Sequence, residues 1–318
     1  MTEPTFSVVM PARDTAATVA DAIQSVLAQT RSDFELIVVD DASTDDTVEV
    51  VEQFTPDSRV RLLRRGRGGG PGTARNDAFA IARAPYVSML DSDDLWLPRY
   101  LETAVERLEA NPAAGLFCAG HWTLEEPRGL IRRNTPLEED AILDPDAFLL
   151  RLVQRNFVVN STVTVRRAAL VACRGCNPDL RAAVDLDLWL RIAAGGYGAV
   201  LVGRRLAVYR LRRGSIQHDP RNEERALRGL LTVLSATAAV PDIPPVVRSA
   251  ATEHAAQIEQ RLGDAIRPQP AERARRRLRR SARALRNVAF RRRIWYRTPP
   301  PELAEALPLL SPRRDAAV

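Results

Sequence analysis

Lysine is absent. All 46 basic residues of the 318-residue chain are arginine, a bias that genome-wide codon usage explains as readily as function, so arginine usage by itself names no anionic partner. Cysteine is scarce: Cys118, Cys173 and Cys176 are the whole complement, an odd number that argues against a disulfide framework. Cys173-Arg-Gly-Cys176 has CxxC spacing, but no second pair and no neighbouring His completes a zinc site, and the pair reads as incidental. Long hydrophobic runs are also missing. The longest mildly apolar stretch, Gly229 to Val240, falls well short of the roughly 20 residues a spanning helix needs. The N-terminus lacks the basic-then-apolar pattern of a signal peptide, so a cytoplasmic location is expected.

Apolar residues make up 45% of the chain and charged residues 27%, which excludes wholesale disorder and a membrane bundle. The length suits one large domain with an extension. The segment Arg273 to Arg293 holds 11 arginines, more than the whole net charge of +6.

Phe6-Ser-Val-Val-Met10 is a short apolar run that reads as a buried strand ended by Pro11. A helix follows, with Asp14 and Thr15 as capping types and Val19, Ala22, Ile23, Val26 and Leu27 at helical spacing. Leu36-Ile-Val-Val39 predicts a second strand ending at Asp40-Asp41, and Ser43 to Asp46 opens another helix. Val60-Arg-Leu-Leu63 predicts a third strand, Thr73 to Ala84 a helix, and Tyr86-Val-Ser-Met-Leu90 a fourth strand that stops at Asp91-Ser-Asp-Asp94. Alternation of this kind predicts an α/β domain with a mixed, mostly parallel sheet, whose ligands bind beyond the carboxyl ends of the strands. Both acidic clusters stand at such ends. From about Asn222 onward strand signals vanish, and Glu223 to Ala239, Val246 to Leu262 and Ala271 to Phe290 read as three helices. The expected organisation is a domain over 1–220, a helical basic region over 221–297 and a Pro-rich, partly disordered tail over 298–318.

Two carboxylates two residues apart, Asp91 and Asp93, supply hard oxygens suited to Mn²⁺ or Mg²⁺ beside a diphosphate. Taken alone, the pair reads as a helix cap. Its surroundings change that. Ser7-Val-Val-Met-Pro11, Val38-Val-Asp-Asp-Ala-Ser-Thr-Asp45, Gly70-Pro-Gly-Thr-Ala-Arg-Asn76 and Tyr86 through Pro98 resemble, in order and spacing, the family 2 inverting glycosyltransferases. The likeness runs from about Phe6 to Ser215.

This resemblance implies the Rossmann-like A-type glycosyltransferase fold and a nucleotide-sugar donor. It implies that Asp41 hydrogen-bonds the base, with Pro11 and Arg13 lining the same pocket. Arg75 would stand near the base and phosphates, Asp91 at the ribose and metal, and Asp93 as direct metal ligand. The family commonly has Tyr-Asn where this chain has Arg13-Asp14, which bears on base selectivity. The pattern around Asp41 resembles that of uridine binders, so UDP is favoured. Asn160 through Arg167 resembles the strand near the acceptor, and Leu180 through Arg191 the segment with the catalytic base. There the family shows Glu-Asp and this chain Val184-Asp185, so Asp185 is the expected base and Asp187 the runner-up; either alone would serve as a helix cap. Where the closing motif often has a His, Arg212 and Arg213 stand, making Arg213 a candidate leaving-group contact. His121, beside Trp122, is a candidate for facing the acceptor sugar.

Two other classes compete. A transferase-like binding protein without turnover would have lost Asp93 or Asp185, and both are present. A nucleotidyltransferase would carry a Gly-rich loop after strand one, which Pro11-Ala-Arg-Asp14 lacks. The acceptor is expected to be a hydroxyl on a glycan, a lipid-linked carrier or a small molecule. The arginine-rich stretch 271–297 is expected to lie on an anionic membrane surface, at the inner face of the plasma membrane, rather than on nucleic acid.

Overall fold

The computed structural model describes residues 3–125, 130–134, 139–211, 222–266, 295–296 and 303. Strands and helices alternate from the start: β1 Phe6–Ala12, α1 Val19–Leu27, β2 Phe34–Asp40, α2 Thr47–Glu52, β3 Val60–Arg64, α3 Pro71–Ile81 and β4 Tyr86–Met89. A second set follows: β5 Leu95–Trp96, α4 Tyr100–Glu109, β6 Ala114–Glu125, β7 Leu130–Asn134, β8 Ala141–Leu143, α5 Pro145–Gln154, β9 Val163–Arg166, α6 Arg167–Ala172, α7 Val184–Ala194 and β10 Gly198–Leu211. Then come α8 Glu223–Ala238, α9 Pro245–Ile266 and β11 Trp295–Tyr296.

The order β3-β2-β1-β4 is parallel throughout. β9 joins β4 antiparallel and passes the sheet on to β6, which pairs in parallel with the long β10. The apolar runs of β1 and β2 are buried on both faces because successive side chains enter different cores. Val9, Ile37 and Val39 join α3, α5 and α7 on one side, while Val8, Met10, Leu36 and Val38 join α1 and α4 on the other.

Several expectations change. Pro11 does not end β1 but lies inside it, opposite Val39 and beyond Val9↔Met89, the last pairing with β4, where a residue without an N–H is tolerated. Asp14 and Thr15 do not cap α1, whose N-cap is Thr18. Asp14 instead adopts φ 50° and accepts from the Thr44 N–H at 2.7 Å, while the Thr15 N–H donates to Thr47 Oγ1 at 2.8 Å. These bonds fasten the β1–α1 loop to the β2–α2 loop.

Helices α8 and α9 appear where expected, yet they share one hydrophobic cluster with the sheet and α7 through Leu227, Leu234, Val247 and Ile258. A strand does return after Asn222, since β11 pairs antiparallel with β7. In the Pro-rich tail, Leu303 is fully buried against Leu95, Leu97, Trp122, Leu124 and Val208. The third expected helix lies outside the described residues, as does most of 271–297. Among the described residues no helix is long and apolar enough to cross a membrane.

At the edge of the sheet remote from the acidic clusters, the buried Glu35 carboxylate ties three elements together. It accepts from Ser7 Oγ at 2.7 Å, the Arg83 N–H at 2.9 Å, the Arg83 guanidinium at 3.0 Å and Arg61 Nη1 at 3.3 Å. Burial pushes its pKa up, but the Arg83 backbone, Ser7 and Arg83 side-chain donors outweigh that and hold it below the usual range. Glu35→Gln is expected to cost about 2 to 3 kcal/mol at neutral pH, read by urea unfolding. Because the native pKa is lowered, that contribution is present above the ordinary Glu range and fades as pH falls through the lowered value, so wild type and variant should converge on acidification.

Candidate active site

Both acidic clusters sit at the carboxyl ends of parallel strands, Asp41 one residue past β2 and Asp91 two past β4. The sheet order puts β1 between those strands, all three run parallel, and their loops therefore leave the same end of the sheet, where such folds bind ligands.

Asp41 is almost fully buried and its carboxylate is well supplied with donors. Oδ1 accepts from the Gly69 N–H at 2.8 Å and from Arg65 Nη1, and Oδ2 from the Gly70 N–H at 2.7 Å. Arg13 Nη1 stands 3.7 Å from Oδ2. The Arg13 and Arg65 guanidinium groups lie directly against Gly68 and Gly69: a Cβ would meet Arg13 Nη1 at 2.1 Å on the first and Arg65 Nη1 at 2.5 Å on the second, so either arginine would have to move aside for a side chain there. The donors Arg65, Gly69 and Gly70 are absent from the sequence expectation. The Gly-rich spelling of residues 66–70 was the available signal, but it reads only as a turn until the two guanidinium groups are seen against it.

Arg75 is buried on α3, and its Nη2 donates to Asp91 Oδ1 at 2.5 Å. The guanidinium expected near the base and phosphates is thus found on Asp91, the acid expected at the ribose and metal. Burial disfavours its charge, yet the nearby Asp91 and Asp185 carboxylates more than compensate and raise its pKa.

The turn carrying Asp91 and Asp93 rests on a residue the motif alone does not single out. Asp94 is fully buried; its Oδ2 accepts from Ser161 Oγ at 2.5 Å and its Oδ1 from the Arg210 N–H at 2.9 Å. Ser161 Oγ also accepts from the Asp91 N–H at 3.1 Å, and the Asp94 N–H donates to the Asp91 carbonyl at 3.0 Å. Burial first, then the charges of Asp93 and Asp91, push the Asp94 pKa well above the usual range. The sheet supplies this geometry: β9 starts just after Ser161, β10 ends one residue past Arg210, and β5 pairs with β10 beside the turn.

The donor set fits a hard divalent cation. Arg75 occupies Oδ1 of Asp91 and leaves Oδ2; Asp93 is half-buried, and both carboxylates repel their neighbour strongly enough to shift it. Among the described residues no group of three or more His, Cys, Asp or Glu converges as metal ligands. A cation held by Asp91 and Asp93 would thus complete its shell with phosphate oxygens and water, as Mg²⁺ and Mn²⁺ commonly do.

Asp185 and Asp187 lie in the first turn of α7, whose N-cap is Ala183, so neither is the helix cap. The two differ. Asp187 Oδ2 is held by Arg191 at 2.9 and 2.6 Å, whereas Asp185 has one side-chain donor, Asn156 Nδ2, at 3.3 Å. Burial raises the Asp185 pKa, against the opposing pull of the Leu186 backbone and Arg75. A carboxylate with a raised pKa and a weakly held oxygen is suited to accept a proton.

His121 and Trp122 do not line an open surface. His121 is buried with its ring edge-on to Tyr209 at 6.0 Å. Trp122 is fully buried under Leu303, with the Arg205 guanidinium 4.8 Å from its ring centroid. The sugar-facing role expected for this pair is corrected to packing. Arg213 lies outside the described residues.

A family model described as Glycosyl transferase family 2 matches residues 7–170. The chain belongs to that family. It is 31% identical over 219 residues to a protein named as a teichuronic acid biosynthesis glycosyltransferase, TuaG, of Bacillus subtilis (strain 168), covering 68% of this chain and 83% of the relative. Residues with the A-type fold of S. aureus TarS 1-349, solved in complex with UDP-GlcNAc, superpose with a TM-score of 0.67 at 19% identity, over 85% of this chain and 77% of that one. The mannosyltransferase PcManGT of Pyrobaculum calidifontis, solved with GDP-Man and Mn²⁺, gives 0.59 at 20% identity, over 89% and 80%. The chain is thus a family 2 glycosyltransferase on an A-type glycosyltransferase fold.

The raised Asp185 pKa has a stability consequence. A group whose native pKa lies above its unfolded value stabilises the fold below the unfolded pKa and loses that contribution as pH rises through the native one. Asp185→Asn should therefore melt above wild type at pH 7, and the gap should narrow on acidification. Thermal melts across that range check it.

Proposed function

We propose that the enzyme transfers a sugar from a nucleoside diphosphate donor, with UDP favoured, to a hydroxyl of a cell-envelope or related glycan acceptor, in one inverting displacement. The observation that carries this reading is that α3 stands against both acids: its Arg75 is bonded to Asp91 at 2.5 Å, and at its start Gly72 packs so closely on Val184, the neighbour of Asp185, that a Cβ there would lie 2.8 Å from Val184 Cγ1.

Asp185 takes the proton of the acceptor hydroxyl as that oxygen attacks the anomeric carbon. The bond from that carbon to the diphosphate oxygen breaks on the opposite side, and the diphosphate leaves with the electron pair, so the anomeric centre inverts. Asp91 and Asp93 are the residues to hold Mn²⁺ or Mg²⁺, which when bound supplies positive charge for the departing diphosphate. The chemistry of the two oxygens and the Mn²⁺ of the mannosyltransferase support a divalent ion.

The lone pairs of Asp41 support uracil. A carboxylate offers about four acceptor sites, and Gly69, Gly70 and Arg65 occupy three. One is left beside Arg13, enough for the single N3–H of uracil but not for the paired N–H groups of guanine. Arg13, in place of the family's Tyr, then offers a donor to a uracil carbonyl. TuaG's envelope polymer supports an envelope acceptor, and the role of 271–297 at an anionic membrane remains part of the same proposal.

Isothermal titration with UDP, GDP and dTDP, each with and without Mn²⁺, tests the donor side. UDP is expected to bind most tightly with Mn²⁺ and Asp93→Ala to lose the metal-dependent part; equal metal-free binding of all three would overturn it. On the acceptor side, Asp185→Asn should lower kcat by roughly 10²–10⁴-fold with the UDP affinity unchanged. Wild-type turnover in that variant would move the base elsewhere, with Asp187 next to test.

A further inference from the structure

The loop that delivers Asp185 to the crevice, residues 181–184, is flanked on both sides by glycines that no catalytic motif of this chain uses together. Arg181 Nη1 reaches the Gly69 carbonyl at 3.5 Å, beside the amides that hold Asp41. Val184, which stands where the family has Glu, presses its Cγ1 on the start of α3: a Cβ on Gly72 would lie 2.8 Å from it. From the other side α8 bears on Ala182, where a Cβ on Gly229 would meet the Ala182 Cβ and carbonyl oxygen at 2.8 Å and its carbonyl carbon at 2.9 Å. Between these contacts Ala183 is held in the left-handed region, φ 56° and ψ 26°, a conformation an alanine adopts at a cost and keeps only when its surroundings impose it. The first helical bond of α7, from the Asp187 N–H to the Ala183 carbonyl at 3.0 Å, starts from that strained residue.

Glycine in the middle of a helix is unfavourable relative to alanine. At Gly263 in α9 a Cβ would meet nothing within 4 Å, whereas at Gly229 it would collide with backbone, so the missing side chain at 229 serves close approach. Leu227, on the same helix, is buried in the cluster that holds Leu186 and Leu188, so α8 and α7 are braced together and the contact at Ala182 is not a loose surface touch.

We infer that Gly229 is a positioning residue of the transfer reaction: it lets α8 wedge the loop 181–184 against the N-terminal end of α3, fixing Asp185 relative to the donor side of the crevice. The inference rests on Asp185 being the base. It gives α8, a helix outside the matched residues 7–170, a direct part in the geometry of the reaction.

The test uses the full chain and the hydrolysis of a UDP-sugar by water, read as UDP release, with the best donor among UDP-Glc, UDP-Gal and UDP-GlcNAc. Misplacing a reacting group by a fraction of an ångström to an ångström is costly, so Gly229→Ala should lower kcat by about tenfold or more. Its KM for the donor and its affinity for UDP should stay within about twofold of wild type. Hydrogen exchange at the first-turn amides of α7 should quicken, while Gly263→Ala, the same change where space is free, should leave turnover and exchange unaltered. Should Gly229→Ala not fold, Ala182→Gly removes the side chain that α8 rests on and should give the same split between kcat and KM. Wild-type kcat in Ala182→Gly and in any folded Gly229→Ala overturns the inference, as does a loss of UDP affinity equal to the loss of kcat. Asp185→Asn separates the two claims. If it turns over like wild type the base assignment fails, and if it is dead while the wedge variants are normal only the wedge fails.

Discussion

One buried guanidinium is the constraint on which the crevice depends. Asp91, Asp93 and Asp94 occupy a single turn, Asp185 approaches from α7, and like charges this close repel strongly where water is scarce. Arg75 answers Asp91 by direct contact and Asp185 through the field. Asp94 is answered differently, by Ser161 and the Arg210 amide, under a burial that favours its neutral form. A buried pair of this kind is weak evidence of stability, because desolvation offsets the attraction. It is better understood as fixing an arrangement: Arg75 on α3 holds Asp91 in the turn after β4, while Gly72 at the start of the same helix packs on Val184 beside Asp185.

Around that centre the loops are bound to each other as well as to their own helices. The β1–α1 loop is fastened to the β2–α2 loop through Asp14, Ser43, Thr44 and Thr47. Asp41 gathers the Gly-rich loop, and Asn76 on α3 makes a paired contact with the Cys176 backbone, N–H to Oδ1 at 2.7 Å and Nδ2 to carbonyl at 2.8 Å. The CxxC segment is thereby explained by packing: it lies between α3 and α7, and burial raises both of its thiol pKa values, which disfavours the thiolate. Asp185 sits in a frame whose parts are cross-linked by hydrogen bonds over long sequence distances.

The first four strands and the acids at their ends were legible because they are local: apolar runs of strand length, helical periodicity and Asp at the boundary. The order and spacing of four motifs carried the family and its fold. What was not legible depends on partners far along the chain. Nothing near Asp94 announces Ser161 or Arg210, and nothing near Asp41 announces Arg65. Asp14 resembles a cap by residue type, but a neighbouring loop competes for its carboxylate and wins. His121, beside Trp122, reads as acceptor-facing by residue type, whereas both side chains are buried and the tail residue Leu303 covers Trp122. The shared core of α8 and α9 with the catalytic sheet was hidden because an amphipathic pattern says that a face is buried, not against what.

The most direct test of the account is a crystal structure of the protein with UDP and Mn²⁺. The account requires uracil at the remaining acceptor site of the Asp41 carboxylate beside Arg13, the ion on Asp91 and Asp93 with diphosphate oxygens in its shell, and Arg75 still bonded to Asp91. Asp185 should face the end of the diphosphate where a sugar would be attached. Nucleotide bound away from Asp41, or an ion that leaves Asp93 uncoordinated, would contradict it.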